Sequence, residues 1–320
     1  MRTIINALIV GGLVVSGSMP PSGDALIRAV EGGNRPLLSR LIADGADVNN
    51  VDNRGYSALM MAAEKGNAEI VAVLIGRGAR VDQLTVIDGV CHTALFEATR
   101  KKQAKIVKIL LKNRADANQS VPGSSYTPLH MAASNGDSEI VSVLIEYGAN
   151  VNLLSSVAGA YSPLYAAARY ANAQIVSKLI RAGADVNLLV NDSGETALMA
   201  ASASPAYAIG MNTPSLYRRQ TETISLLIQA RANVNAASRD GFTALLNAVW
   251  TSGVDKIRLL IDNRANVNQR TALGTPLMKA IEIRDSDKVR LLVHAGAETT
   301  NVPANVFDEF IRPITDARDI

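Results

Sequence analysis

Cysteine is almost absent. Cys91 is the only one in 320 residues, which excludes an internal disulfide and any cysteine-cluster metal site. Histidine is nearly as scarce, and His92, His130 and His294 do not stand at a metal-ligand spacing from one another. Aromatics make up 4% of the chain, as eight Tyr, four Phe and one Trp. The core must therefore be built from Ala, Leu, Ile and Val, and the position of each ring becomes informative. No glycine-rich phosphate loop is present, because Gly32-Gly33 reads as a turn, and no Ser or Cys lies in a nucleophile elbow. Cys91 and His92 are adjacent, but neighbours in a loop rarely point at each other. The chain reads as a non-enzyme with no catalytic residue, cofactor or metal. A net charge of +3 spread over a long molecule does not indicate a nucleic-acid partner.

What the chain does have is a returning phrase. It runs Gly45-Ala46-Asp47-Val48-Asn49, then recurs from Gly78, Arg114, Gly148, Gly183, Arg231 and Arg264, and in a worn form as Gly296-Ala297-Glu298. Subtracting those first residues gives spacings of 33, 36, 34, 35, 48, 33 and 32. A period near 33 means a stack of small units, none able to bury its apolar face alone.

Each unit opens on Thr/Ser-Pro/Ala-Leu, most fully in Thr127-Pro128-Leu129-His130-Met131-Ala132-Ala133. Threonine suits a helix N-cap, and the proline after it has no N–H to leave unpaired. Glu139-Ile140-Val141-Ser142-Val143-Leu144-Ile145 then reads as a second helix. Gly148 stands where the chain needs positive φ. Other copies open at Ser57, Thr93, Ser162, Thr196, Thr243 and Thr275, while the first unit, from Gly23, lacks the opening, as an end cap would. This pattern resembles the ankyrin repeat family over about residues 23 to 298. The resemblance implies an all-α solenoid of helix-turn-helix repeats joined by hairpin-like finger loops, with His130 in a structural hydrogen-bonding role. Arg114, Arg231 and Arg264 depart from it by replacing the terminal glycine, at a cost on the order of 1 kcal/mol each in left-handed geometry.

The ends and one insertion leave the repeat. Arg2, an apolar run from Ile4 to Val15 and the small-residue exit Ser16-Gly17-Ser18 describe a signal peptide over 1–18. It is too short to span a bilayer comfortably, and an apolar cap helix is the competing assignment. The repeat domain is then 19–298, with about eight repeats. Phe307, Phe310, Ile311 and Ile314 in the segment 299–320 read as a short capping helix. Residues 204–220 lengthen the sixth unit between its two helices, and Tyr207, Tyr217, Arg218 and Arg219 there form a second candidate grip on a partner.

The resemblance also implies that the fingers and first helices line a concave face. The residue before each opening Thr/Ser is Tyr56, His92, Tyr126, Tyr161, Glu195, Phe242 and Gly274 in turn. Tyr170 and Trp250 fall beside this row. Rigid, partly exposed rings dominate protein interfaces, although each could instead pack sideways on the next finger. Apolar residues also occupy four finger tips: Leu84, Val86 and Ile87; Val121-Pro122; Leu153, Leu154 and Val157; and Leu188, Leu189 and Val190. Such a run of tips marks an interaction patch. Lys101, Lys105, Lys108 and Lys112 are placed on one helix face, where they form either a solvated surface or a polyanion site.

The expectation is an exported, periplasmic or secreted module, monomeric when free and not membrane-inserted. It binds a secreted or envelope enzyme through its concave face to inhibit, protect or scaffold it. A host-directed effector and a basic-patch polyanion binder are the alternatives.

Overall fold

The computed structural model describes residues 23–87, 90–120, 125–155, 161–203, 214–251, 253–300, 302 and 310–311. The leader, Val121-Pro122, Val157, Tyr207, Phe307 and Ile314 lie outside them, as do the side chains of Val86, Ile87 and Cys91. The first helices are α1 (Gly23–Glu31), α3 (Ala58–Lys65), α5 (Ala94–Arg100), α7 (Pro128–Asn135), α9 (Pro163–Arg169), α11 (Ala197–Ser202), α13 (Ala244–Thr251) and α15 (Pro276–Glu282). Alternating with them are α2 (Arg35–Ala43), α4 (Ala68–Gly76), α6 (Ala104–Lys112), α8 (Ser138–Glu146), α10 (Ala173–Arg181), α12 (Pro214–Gln229), α14 (Val254–Asp262) and α16 (Ser286–His294). One finger forms an antiparallel hairpin of β1 (Thr85–Ile87) and β2 (Val90–His92), with Thr85 opposite His92. The solenoid is the one that the repeat period implies.

Short helices of this kind are marginal alone, so caps and neighbours must hold them. The Ser57, Thr93, Ser162, Thr196, Thr243 and Thr275 hydroxyls each accept from the backbone N–H three residues on, at 3.0–3.3 Å. Each such cap is worth about 1 kcal/mol. Small residues such as the buried Ala58, Ala62 and Ala63 of α3 let the first helices approach one another. One apolar core runs from Leu26 to Ile311. Most first helices pack more closely on their neighbours than the second helices do.

The returning phrase is a clasp between units. Asn152 donates from Nδ2 to the Gly183 carbonyl at 3.2 Å and accepts at Oδ1 from the Asp185 N–H at 2.8 Å. Asn49, Asn118, Asn187, Asn235 and Asn268 make the same two bonds to the unit that follows. Within the phrase, Asp or Asn two residues earlier accepts from the clasping residue's own N–H, as Asp185 does from Asn187 at 2.9 Å. Arg114, Arg231 and Arg264 all take φ of 67°, the left-handed geometry that glycine adopts elsewhere in the series.

Three expectations need correction. Residues 214–220, assigned to a loop insertion, are helical. Aligned with α10, α12 would begin at Thr221, yet it begins at Pro214, roughly 10 Å of extra helix. Leu216 is buried there against Ala171, which gives the extension an apolar anchor. Lys101 is not on the helix face of Lys105, Lys108 and Lys112, because α5 ends at Arg100 and Lys101 caps it. Val190 is not an exposed tip. It is buried with Tyr165 and Ala200, drawn inward by a two-bond bridge to Glu195. At the far end, Ile311 is buried in the core.

Candidate functional site

The row before each N-cap is fixed by the fingers. Tyr56 donates its N–H to Asp52 Oδ1 at 2.9 Å while its carbonyl accepts from the Asp52 N–H at 2.9 Å. Ser155 and Tyr161 repeat the exchange, as do Ser238 and Phe242. Buried Asp52, Ser155 and Ser238 therefore set the backbone of each ring residue, and the ring leaves the finger beside the N-terminus of the next first helix.

In these positions the rings form a ladder across units. Tyr56 and His92 have ring centroids 6.3 Å apart, His92 and Phe96 6.0 Å, and Phe96 and Tyr126 6.3 Å. Tyr126 stacks on His130 at 5.5 Å and meets Tyr161 edge-on at 6.1 Å, and Tyr161 contacts Tyr165 at 6.3 Å. Beyond Glu195 a second group begins, with Phe242 stacked on Trp250 at 5.9 Å. Lys279 Nζ lies 4.2 Å from the Trp250 ring centre and 2.7 Å from Glu282 Oε2. Aromatic contacts of this geometry contribute about 0.5–1.5 kcal/mol each. Within the ladder Phe96, His130 and Tyr165 are buried, while the rings of the row itself keep part of their surface open. Tyr56, His92, Tyr126, Tyr161, Tyr170 and Phe242 are half-buried, and Trp250 is 44% exposed.

Phe96 and Tyr165 belong to the ladder although the row of residues before the cap does not contain them. Both stand three residues after the N-cap, where His130 stands in the fourth unit. That shared position was the signal available in the sequence. His130 itself is wholly buried. Its Nδ1 accepts from the Thr127 N–H at 3.3 Å, and Nε2 lies 3.0 Å from the carbonyls of Leu153 and Tyr161. Burial holds its pKa down to about 4, so the neutral ring joins the fourth unit to the fifth finger. Burial also raises the Tyr161 and Tyr165 pKa values, with the Glu195 hydrogen bond adding to the rise at Tyr165.

Charge is paired along the same face. The fully buried Glu97 carboxylate accepts from Arg100 Nε at 3.0 Å and meets His92 Nδ1. Arg100 and Lys101 also reach Glu64, at 3.4 and 3.1 Å. Lys102 pairs with Asp137 at 3.1 Å. Much of the basic run therefore has acidic partners, leaving Lys105, Lys108 and Lys112 as the exposed lysines of α6. Among the described residues, no group of three His, Cys, Asp or Glu could hold a metal ion.

The structure does not gather every candidate at one place. Leu84 and Leu189 are 39% and 59% exposed, whereas Leu154 is half-buried beside Tyr165. Tyr170 caps α9 and, with Tyr161, Tyr165, Ala166, Arg169, Asn191 and Glu195, lines a cleft of about 290 Å³. Arg218 and Arg219 are exposed on α12, and Arg219 shares a groove with Lys178, Arg181 and Ser138 on the second-helix side, away from the rings. The Tyr217 ring lies beside Gly253. No described helix is long and apolar enough to cross a membrane.

A family model described as "Ankyrin repeats (3 copies)" matches residues 3–85, 26–121, 81–155, 129–209 and 215–302. Ankyrin repeat and SOCS box protein 6 of Homo sapiens is 30% identical over 236 residues, 66% of this chain and 45% of that protein. Glycerophosphocholine phosphodiesterase gde1 of Schizosaccharomyces pombe is 40% identical over 70 residues, 22% of this chain and 6% of that protein. The chain thus spans less than half the length of either. Among solved structures, the human ASB11 ankyrin repeat domain superposes with a TM-score of 0.59 at 26% identity, covering 75% of this chain and 98% of that one.

Proposed function

Because this chain belongs to the ankyrin repeat family, a scaffold that binds other proteins, we propose that its inner face grips a folded client outside the cytoplasm. The client is a secreted or envelope enzyme, and binding acts by occlusion, so that the repeat inhibits, shields or scaffolds it. The observation that carries the client-binding part is the ring ladder from Tyr56 to Tyr165 with its continuation at Phe242 and Trp250. Half-exposed rings already immobilised by one another lose little further freedom on binding, and such residues concentrate interface energy. The export part is supported by Arg2 and the apolar run from Ile4 to Val15. A passive binder suits a compartment without ATP-driven machinery.

The experiment has two arms. The mass of the mature N-terminus distinguishes a cleaved leader from an apolar first helix retained in the stack. Capture from an envelope fraction on wild type and on Tyr126→Ala, followed by an activity assay of what is retained, tests the client. Recovery of cytosolic proteins alone, or equal recovery on the variant, would reject the reading.

A further inference from the structure

The cleft where the ladder ends has a chemistry of its own. Tyr161, Tyr165 and Tyr170 line it, and Tyr165 is buried in a cluster with Val190 and Ala200 against which Leu154 and Tyr161 pack. Glu195 lines the same space. Its Oε2 accepts from the Tyr165 hydroxyl and from Asn191 Nδ2 at 3.0 Å, which leaves neither bond on Oε1. Both donors are neutral, so they orient the carboxylate without cancelling its charge. In successive units this position holds Tyr, His, Tyr, Tyr, Glu, Phe and Gly; the acid of the series stands at the cleft that Tyr161, Tyr165 and Tyr170 line.

We propose that this cleft receives a lysine side chain of the client, its ammonium set against Glu195 and its methylene stem along the tyrosine rings. Ring faces attract cations through their quadrupole, and a carboxylate beside them adds a full charge. A point-charge ammonium suits a carboxylate with one uncommitted oxygen, whereas a guanidinium seeks both. Arg169 also lines the cleft and interacts with the Tyr165 hydroxyl. It is exposed, so its repulsion is screened by solvent, and it gives the test a second sign. The proposal rests on the reading that the inner face holds a protein, but its test does not require that protein.

Full-length chain carrying ¹³C-labelled tyrosine rings is titrated with N-acetyl-lysine methylamide and, separately, with its uncharged counterpart N-acetyl-norleucine methylamide. Saturable shifts at Tyr161, Tyr165 and Tyr170 are expected for the lysine probe, with Kd of about 1 mM. Glu195→Gln should weaken that binding about fivefold, and Arg169→Gln should tighten it about threefold. Equal shifts from the norleucine probe, or a lysine response untouched by both substitutions, would overturn the proposal. Arg169 is on the surface, so its variant stands as a test even where Glu195→Gln folds poorly. A silent cleft alongside undiminished client capture removes this inference alone; a responsive cleft with no client removes the other.

Discussion

Asp82 Oδ1 accepts from the Asp116 backbone N–H at 3.0 Å, and that is half of a clasp. Every other member of the series is an asparagine, which accepts and donates at once; a carboxylate cannot donate. The clasp itself therefore has one bond fewer here, although Gln119 Nε2 also donates to the Asp82 carbonyl at 3.2 Å.

Asp82→Asn should restore the missing bond to the next unit and stabilise the fold by about 1 kcal/mol. The converse change, Asn152→Ala, removes both bonds to Gly183 and Asp185 and should cost about 1–3 kcal/mol. Urea unfolding of the two variants against wild type checks both signs.

At φ of 67°, Arg114, Arg231 and Arg264 bear the crowding of Cβ against the following carbonyl. Replacing any one with glycine relieves that strain while loosening the unfolded chain. The net expectation is a gain of about 0.5 kcal/mol per site, read as a small rise in Tm.

Acid should weaken the fourth unit through His130. Its pKa is about 4 in the fold against about 6.5 when unfolded, so the unfolded chain takes up the proton first. Stability is complete above about pH 6.5 and declines as pH falls towards 4, by about 2 kcal/mol at pH 5. Urea unfolding at pH 7 and pH 5 measures the decline, and His130→Gln, which cannot titrate, should lose less between them.

Lys256 is buried where Ile70, Ile106, Ile140 and Ile175 stand in other units, and burial brings its pKa down to about 7. The unfolded chain again binds the proton more tightly. Stability should fall by about 2 kcal/mol between pH 9 and pH 7, and level off below the folded pKa. Lys256→Ile should abolish that slope and be more stable at pH 7 by about 1–4 kcal/mol. Denaturant titrations at the two pH values decide it.

Trp250→Ala removes an exposed ring, its stack on Phe242 and its contact with Lys279. The fold should survive, because Trp250 is 44% exposed, while affinity for a captured client should drop by about 2 kcal/mol or more. Calorimetry on the purified pair tests this; unchanged affinity would take the seventh unit out of the interface.

Some of this was legible before any coordinates. Thr127, Pro128 and His130 announce a capped helix because the chemistry is local, whereas the recurring Asn marked only the period, and its bonds to the next unit depend on where that unit sits. Phe96 and Tyr165 were not read as part of the ring row, since a ring on the third helical residue reads as core until its neighbour's position is known. Leu216 gave no sign that it would carry α12 seven residues back to Pro214, because its partner Ala171 is distant in sequence. Lys101 read as continuous with Lys105 for the opposite reason: helical spacing is blind to a turn that interrupts it.

The residues by themselves determined the period and the caps, which act within one unit or repeat from one to the next. Only the tertiary structure decided that Tyr161, Tyr165, Tyr170 and Glu195 border one cleft and that Arg219 lies on the other side. Those relations depend on how each unit is rotated against the next, and that rotation is set by the packing of small side chains between first helices rather than by any one residue.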